Sequence, residues 1–207
     1  MEVELKYKIS TEKTAEDILN DPFVTDIMEK GTEEELKMEA VYFDTADRRL
    51  GQRNIALRTR REGSALVSTM KYGGGTVCGF SKREEINVPL SSEEELMKPA
   101  LYMYKGTAGE EILKEAVGRR TLKPIIRTDF IRKKAFLNDG LNRYEISVDK
   151  GEITAGGKSS PIFELEIELY EGDEKALIIF GSILAEKYDL EEGTESKYKR
   201  GLDLLKR

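Results

Sequence analysis

The sequence predicts an α+β protein in which about eight antiparallel strands close into a barrel with helices at its edges. Two observations lead to this prediction. Apolar and polar residues alternate with a period of two along several segments, and turn residues separate these segments from one another. A sheet of about eight strands can close around one small ligand, so a central cavity is expected.

Five strands are predicted in the first half of the chain. Thr11 can cap a helix after the first strand, and the Asp21-Pro22 pair would end that helix. The Gly73-Gly74-Gly75 run predicts a turn rather than a phosphate-binding loop, because no Lys-Ser/Thr pair follows it. The predicted strands cover residues 2–9, 40–44, 54–61, 65–72 and 81–89.

Three further strands are predicted in the second half, at residues 124–137, 142–150 and 162–170. Asn138-Asp139-Gly140 predicts a tight turn between the first two, because these residue types tolerate a positive φ. Apolar residues at helical spacing predict helices at 108–117, 173–188 and 194–205. One domain over residues 1–207 is expected, since domains commonly contain about 100–200 residues.

The composition excludes several kinds of active site. The chain contains no histidine, which removes Ser-His-Asp and Cys-His catalysis and imidazole-bound zinc. Cys78 is the single cysteine, so neither an internal disulfide nor a thiolate metal site can form. Carboxylates, lysine, arginine and hydroxyl groups remain, and oxygen ligands favour Mg²⁺ or Mn²⁺.

Charge and hydropathy bound the partners and the location. The net charge of −6 argues against a protein that binds nucleic acid through bulk positive potential. The first residues lack the basic and apolar regions of a signal peptide, and no run approaches the roughly 18 apolar residues of a membrane span. We therefore expect a cytoplasmic protein with neither nucleic acid nor a membrane as its partner.

Charged residues recur with a period of two on five predicted strands whose opposite faces are apolar. On the last of these strands, Phe163, Leu165 and Ile167 form an apolar face that can pack against the terminal helices. The residues that share the polar faces are Glu2, Glu4 and Lys6; Arg58 and Arg60; Thr69 and Lys71; Arg83 and Glu85; and Glu164, Glu166 and Glu168.

These charges have two interpretations. On any single strand they most simply face water, as in one-sided antiparallel sheets. Glutamates two apart lie about 6–7 Å from each other, however, and like charges at that distance repel by roughly 3 kcal/mol at an effective dielectric near 20. Repetition on five strands favours an interior site in which carboxylates hold a divalent cation and arginines hold phosphate oxygens. A triphosphate with its metal satisfies both sets of side chains.

Short motifs along nearly the full length of the chain add a second argument. They are Glu2-Val3-Glu4-Leu5-Lys6, Tyr42-Phe43-Asp44-Thr45, Ala56-Leu57-Arg58-Thr59-Arg60, Thr69-Met70-Lys71, Arg83-Glu84-Glu85, Glu164-Leu165-Glu166-Ile167-Glu168 and Ser196-Lys197-Tyr198-Lys199-Arg200-Gly201. In this order they resemble the motifs of the triphosphate tunnel metalloenzymes, the superfamily that carries the CYTH domain. Thr128-Asp129-Phe130, Asp149-Lys150-Gly151-Glu152 and the segment 161–166 make the chain most similar to the bacterial inorganic triphosphatases.

The resemblance implies an eight-stranded antiparallel β-barrel tunnel with flanking helices, and it implies roles for individual residues. The metal, Mg²⁺ or Mn²⁺, would be bound by Glu2, Glu4, Glu164, Glu166 and Glu168. The phosphates would be held by Lys6, Arg58, Arg60, Lys71, Arg83, Arg132, Lys197 and Arg200. Glu4, Lys6 and Glu85 would take part in catalysis. Arg127 is a weaker candidate than Arg132. Asp44 and Asp149 fit a turn or a site equally well, and Tyr198 fits core packing or a ligand contact.

The implied activity is metal-dependent hydrolysis of inorganic tripolyphosphate to pyrophosphate and orthophosphate. The alternatives in the same fold are a class IV adenylyl cyclase, a thiamine triphosphatase or a nucleoside triphosphatase. The absence of tryptophan leaves no obvious platform for base stacking, which favours the inorganic substrate. A non-catalytic polyphosphate-binding module and a plain barrel with solvated charges are the alternatives from other classes. The oligomeric state stays open, with a homodimer as one alternative.

Overall fold

A computed structural model, which describes residues 1–99 and 101–206, shows a closed barrel of eight antiparallel strands. The order around the barrel is β1-β5-β4-β3-β2-β6-β7-β8, and β8 pairs with β1 to close it. The predicted fold class is therefore confirmed. The strands are β1 (Glu2–Lys8), β2 (Glu34–Asp44), β3 (Ala56–Glu62), β4 (Ala65–Val77), β5 (Phe80–Pro89), β6 (Lys123–Asn138), β7 (Arg143–Ala155) and β8 (Lys158–Glu171); the short β9 (Glu191–Glu192) pairs with β1 outside the ring.

Helices lie around this barrel and over one of its ends. They are α1 (Glu12–Leu19), α2 (Pro22–Thr25), α3 (Arg49–Gln52), α4 (Gly109–Val117), α5 (Glu174–Tyr188) and α6 (Lys197–Leu204), with 3₁₀ turns at Glu93–Met97 and Leu101–Tyr104. Among the helices in the described residues, none combines the length and the apolar character needed to cross a membrane.

The caps of the first two helices follow from local sequence. The Thr11 side chain accepts a hydrogen bond from the Thr14 backbone N–H at the start of α1. The Asp21-Pro22 pair begins α2 instead of only ending α1. Asp21 accepts from the Phe23 N–H, and Pro22 occupies the first helical position, where its missing N–H costs nothing.

The glycine run that predicts a turn lies inside a strand instead. β4 continues to Val77, and its pairing with β5 shifts between Tyr72 and Gly75, which is a β-bulge. Gly74 sits in the bulge with a φ of 56°, and a Cβ at this position would lie 1.8 Å from the Lys82 carbonyl oxygen. The actual turn uses Cys78 and Gly79, both with positive φ. The glycine run therefore indicated backbone with positive φ, but it did not distinguish a β-bulge from a turn.

Strand β2 begins at Glu34, six residues before the predicted start at Ala40. Its first part is mostly charged, so it gives little apolar alternation, but it pairs in register with β6, where Glu34 lies opposite Lys134. β7 and β8 are also longer than predicted, and they meet at a tight turn of Gly156 and Gly157.

The apolar core lies largely outside the barrel, between its wall and the helices. The outward faces of β1 and β8 pack against α5, with Leu5, Leu165 and Ile167 buried against Leu177 and Leu184. The predicted apolar face of the last strand is thereby confirmed. A second cluster surrounds α6, which covers one end of the barrel and packs on inward-facing side chains such as Tyr42 and Ile126. The middle of the barrel is left to polar groups.

The pairing of β6 with β7 depends on one close approach of backbone. A Cβ on Gly151 would lie 2.1 Å from the Asp129 carbonyl oxygen and 2.5 Å from Phe130 Cα. We expect Gly151→Ala to lower the free energy of unfolding by at least about 1–3 kcal/mol, because backbone must move to admit the methyl group. Urea unfolding measures this change. Gly75→Ala is the control, since a Cβ there meets nothing within 4 Å, and it should change stability by less than about 0.5 kcal/mol. Equal losses of unfolding free energy in the two variants would contradict the importance of this close contact.

Candidate active site

A cavity of about 620 Å³ runs through the barrel and is lined by inward-facing residues of all eight strands and by the start of α6. Exposed lining residues lie at both ends: Tyr170 at one, and Asn54 and Lys199 at the other. We call this cavity the tunnel. The predicted site residues that line it are Glu2, Glu4, Lys6, Arg58, Arg60, Lys71, Arg83, Glu85, Arg132, Glu166, Glu168 and Lys197.

Two predicted site residues, Glu164 and Arg200, are not part of the tunnel lining and pair with each other behind it. Arg200 Nη1 lies 3.0 Å from Glu164 Oε2, and its other nitrogen donates to the Pro161 carbonyl. Lys197 and Arg200 do share one face of α6, as their spacing predicts, and both contact Glu164. The structure thus places Arg200 where it anchors α6 to β8.

A buried group of three carboxylates, Asp149, Glu164 and Glu166, has the geometry of a cation site. Each offers one oxygen, and these oxygens lie within 4.8 Å of one another. The ammonium group of Lys197 already lies among them, 2.7 Å from Asp149 and 2.9 Å from Glu166, and also contacts Glu164. This lysine compensates the charge that a metal ion would otherwise have to neutralise.

Glu166 has three cationic partners. Its oxygens lie 2.7 Å from Lys6 Nζ and 2.5 Å from Arg132 Nη2, in addition to the contact with Lys197. Although burial opposes ionisation, Lys197, Lys6 and Arg132 hold the pKa of this carboxyl well below its usual range. Arg132 also donates two hydrogen bonds of 2.7 Å to Asp149 in bidentate fashion. This half of the tunnel wall is therefore neutralised internally.

Lys71 lies between two carboxylates on the opposite wall. Its ammonium is 2.5 Å from Glu2 and 2.9 Å from Glu85. Burial raises the pKa of Glu2; Lys71 opposes this shift, and the neighbouring Glu4 and Glu85 add to it. Burial also acts on Glu85, but Lys71 and Arg58 together lower its pKa to about 2. Lys71 is shared between the two carboxylates and Arg58 acts on Glu85, so Glu2 is compensated less fully than Glu85.

Among the tunnel cations in the described residues, Arg58 and Arg83 have no carboxylate partner, and Arg60 has one, Glu62 at 3.1 Å. Arg58 donates to the Tyr42 hydroxyl at 3.3 Å, and the Nε atoms of Arg58 and Arg60 are buried without a hydrogen-bond partner in the described structure. Arg83 donates to backbone carbonyls, including that of Asn54 at 2.5 Å. Burial lowers the pKa of Arg60, and the adjacent Arg58 lowers it further. Such neighbouring guanidinium groups form a site for an anion.

Glu168 is a tunnel carboxylate that forms no ion pair within the described residues. It lies beside Glu4 in the strand register. Burial, with Glu2 and Glu4 nearby, raises the pKa of this carboxyl to about 8. Glu4 has only a distant partner, since Lys6 Nζ is 3.6 Å away. Glu2, Glu4 and Glu168 thus offer carboxyl oxygens that the described residues pair incompletely with cations, which suits a hard divalent cation.

Sequence reasoning missed Glu145 and Lys134, which line the tunnel and pair at 3.1 Å. The period-two pattern contains both, since Lys134 follows Arg132 by two residues and Glu145 precedes Ser147 and Asp149 on β7. Asp149 lies in the middle of β7 with its side chain buried, so it is not a turn residue.

The structure also locates Asp44, Arg127 and Tyr198, whose roles the sequence left open. Asp44 is buried and accepts hydrogen bonds from the backbone N–H groups of Thr45, Leu50 and Gly51, which gives it a local structural role. Arg127 is exposed on the outside of the barrel. Tyr198 both packs on Tyr42, with ring centroids 5.4 Å apart, and lines the tunnel.

Removal of the Lys197 charge should destabilise the fold strongly. Lys197→Met leaves three buried carboxylates without their shared ammonium, and we expect a loss of about 3–5 kcal/mol in the free energy of unfolding. Lys199→Met is the matched control on the same helix. Lys199 is about half exposed, and its pairs with Glu195 and Asp203 should contribute at most about 1 kcal/mol. Chemical denaturation measures both, and similar losses would contradict the assigned role of Lys197.

The depressed pKa of Glu85 predicts a dependence of stability on pH. Because its folded pKa of about 2 lies below the ordinary pKa of 4.5, ionised Glu85 stabilises the fold above pH 4.5, and this stabilisation is lost as the pH falls towards 2. Wild type should therefore exceed Glu85→Gln in unfolding free energy at pH 7 by an amount on the order of 3 kcal/mol, and the difference should shrink by pH 2–3. Glu84→Gln, at an exposed position, should show no such pH-dependent difference. A constant difference for Glu85→Gln would refute the assignment.

Comparison with known proteins agrees with this geometry. Residues 1–202 match the CYTH domain. The chain is 34% identical over 160 residues to an inorganic triphosphatase of Haemophilus influenzae; the match covers 77% of this chain and 44% of the relative, so the chain spans less than half of that protein's length.

Solved structures share the fold. HpAC1 of Hippeastrum, a candidate adenylyl cyclase described as having a dominant triphosphatase activity, superposes with a TM-score of 0.69 at 16% identity, covering 96% of this chain and 93% of its own. The Pyrococcus horikoshii protein PH1819 gives a TM-score of 0.62 at 20% identity with full coverage of both chains. The sequence match over residues 1–202 shows that the chain belongs to the CYTH-domain family.

Proposed function

We propose that this protein is a metal-dependent triphosphatase that hydrolyses inorganic tripolyphosphate to pyrophosphate and orthophosphate. The single observation that carries the proposal is that uncompensated cations and uncompensated carboxylates share one tunnel. Arg58 has no carboxylate partner, Arg60 has only Glu62, and the Nε atoms of both are unpartnered, while Glu168 forms no ion pair, all within the described residues. A bound triphosphate and a divalent metal ion supply the two missing charges. The inorganic triphosphatase of Haemophilus influenzae supports the assignment of activity.

The basic side chains would position the anion. Arg58 and Arg83 have the capacity to donate to phosphate oxygens without first losing a carboxylate partner. Arg60 can donate through its unpartnered Nε while it keeps its contact with Glu62. Lys6, Lys71, Arg132 and Lys197 are held in ion pairs, so we propose that they contribute positive potential and fixed geometry to the same wall. Fixed donors need little reorganisation during phosphoryl transfer, which depends mainly on position and electrostatics.

Glu2, Glu4 and Glu168 fit a divalent metal ion better than the second carboxylate group does. Their oxygens are incompletely paired with cations, whereas Asp149, Glu164 and Glu166 already surround the Lys197 ammonium. When bound, Mg²⁺ or Mn²⁺ would neutralise phosphate oxygens as a Lewis acid. The roles predicted for Glu164 and Glu166 become structural in this proposal, because these carboxylates hold Lys6, Arg132, Lys197 and Arg200 in place.

Hydrolysis then requires an oriented water molecule. We propose that Glu4, which is weakly paired, holds this water and accepts its proton. The water oxygen forms a bond to the terminal phosphorus, and the bond from that phosphorus to its bridging oxygen breaks. Orthophosphate leaves, and pyrophosphate remains on the basic wall. Glu85 and Lys6 act by fixing Lys71 and Glu166 respectively, so their contribution is one of position.

The preference for an inorganic substrate rests on the tunnel lining. Tyr42 and Tyr198 stack on each other and are buried, which leaves no free face for a nucleobase in that part of the tunnel. Tyr170, about half exposed, lies at the opposite end and is the one aromatic lining residue among those described that an organic group can reach from solvent. Mg²⁺ or Mn²⁺ as the metal, a cytoplasmic location, the single domain and a homodimer stay predictions.

Product analysis tests the proposal. The protein is incubated with tripolyphosphate or ATP, each with Mg²⁺ or Mn²⁺, and the products are identified by ³¹P nuclear magnetic resonance and chromatography. We expect orthophosphate and pyrophosphate from tripolyphosphate, no turnover after chelation of the metal, and a loss of at least about 10²-fold in kcat for Arg58→Gln. Arg127→Gln, on the outer surface, is the control and should retain activity.

Other products would overturn the proposal in defined ways. Cyclic AMP from ATP without turnover of tripolyphosphate would identify a cyclase. Binding of either compound without any turnover would identify a non-catalytic polyphosphate-binding module.

A further inference from the structure

Two neighbouring segments outside the tunnel carry six basic residues, although the protein as a whole has a net charge of −6. The segments are joined by several contacts. Arg120 Nε lies 2.7 Å from Asp47 Oδ2, Arg49 donates to the Glu115 carbonyl at 3.4 Å, and Lys123 pairs with Asp44 in the register of β6 and β2. We call this surface the basic edge; it comprises Arg48, Arg49 and Arg53 at α3, and Arg119, Arg120 and Lys123 after α4.

Most of these charges are not compensated by the protein. Arg53, Arg119 and Lys123 are exposed, and their side chains make no hydrogen bond or ion pair within residues 1–99 and 101–206. Arg48 has a left-handed backbone with a φ of 58°, and its Nη1 atom is buried without a hydrogen-bond partner among the described residues. A strained backbone and an unsatisfied buried donor at one residue are features that occur at binding sites.

The basic edge is continuous with one mouth of the tunnel. Asn54, which follows Arg53 directly, lines the tunnel and accepts a hydrogen bond from Arg83 through its carbonyl oxygen. On the other side, a Cβ on Gly51 of α3 would lie 3.3 Å from the hydroxyl of Tyr198, another lining residue. An anion that leaves the tunnel at this mouth therefore meets the basic edge first.

The opposite mouth offers no comparable surface. Its cations are matched by adjacent carboxylates, since Arg60 lies 3.1 Å from Glu62 and Lys134 lies 3.1 Å from Glu145. An anionic chain longer than the tunnel is therefore favoured at the α3 side and not at the Tyr170 side.

We propose that the basic edge binds the part of a linear inorganic polyphosphate that extends beyond the tunnel, while the terminal phosphates occupy the tunnel. The inference rests on the proposed function, because it assumes that the tunnel holds phosphates. In this proposal a chain of only three phosphates is held by the tunnel alone, and a longer chain also contacts the basic edge. Affinity therefore increases with the length of the polyphosphate, and it does so through electrostatic contacts that salt weakens.

Fluorescence anisotropy with long-chain inorganic polyphosphate, labelled at one end, tests the proposal by binding alone. The variant is Arg53→Gln/Arg119→Gln/Lys123→Gln, whose side chains make no hydrogen bond or ion pair in the part of the chain that the structure describes. The control is Lys13→Gln/Lys30→Gln/Lys175→Gln, which removes the same charge at exposed positions on or near α1, α2 and α5. Unlabelled tripolyphosphate is measured by competition.

The edge variant should bind long polyphosphate at least about tenfold more weakly. The slope of log affinity against log salt should fall by about 2, if each lost contact contributes about 0.7 as in single-stranded nucleic acids. The affinity for tripolyphosphate, measured by competition, should change by less than about threefold. The control variant should bind both compounds with the affinities of the wild type. Unchanged binding of long polyphosphate would overturn the proposal, and so would an equal loss in the control or an equal loss for tripolyphosphate.

Two further outcomes are distinguishable. If an acidic peptide or single-stranded RNA binds the edge more tightly than polyphosphate does, the assigned ligand is wrong. If wild-type protein fails to hydrolyse tripolyphosphate but still shows length-dependent binding that the edge variant loses, the catalytic proposal fails and the basic edge stands.

Discussion

The structure depends on the neutralisation of many charges inside a closed barrel. Isolated ions are very costly to bury, so each inward-facing carboxylate or ammonium needs a partner nearby. On one side of the tunnel Lys6, Arg132 and Lys197 satisfy Glu166, Asp149 and Glu164 almost completely. On the other side the matching is incomplete, and the groups left over are the ones to which we assign ligands. Complete pairing of the buried charges thus stabilises the fold, and incomplete pairing leaves groups that can bind ligands.

This constraint also explains where the apolar core lies. Since the barrel interior is polar, the strands bury apolar residues on their outer faces, and helices are needed to cover them. α5 covers β1 and β8, while α3, the Leu101–Tyr104 turn and α4 cover Leu57 and Met70 of β3 and β4. α6 serves two purposes, because Tyr198 and Leu204 pack at the end of the barrel and Lys197 reaches its carboxylates. The position of α6 therefore couples the packing of the fold to the charge balance of the tunnel.

Period-two alternation was enough to predict which face of each strand looks inward, because residues two apart on a strand share a face whatever the tertiary structure. It could not predict partners. Lys197 and Asp149 are distant in sequence, and their contact depends on how α6 enters the barrel. The motifs alone also could not separate carboxylates that hold lysine, such as Glu166, from carboxylates with free charge, such as Glu168. The bulge at Gly74 and the charged start of β2 were missed because each is decided by pairing with a neighbouring strand.

The most direct test of the central claim is a crystal structure with Mn²⁺ and a non-hydrolysable imidotriphosphate, in which anomalous scattering locates the metal. The account predicts a manganese peak among Glu2, Glu4 and Glu168, with phosphate oxygens bonded to Arg58 and Arg60, while Lys197 keeps its contacts with Asp149 and Glu166. Manganese bound in place of the Lys197 ammonium, or an anion bound only on the outer surface, would contradict it.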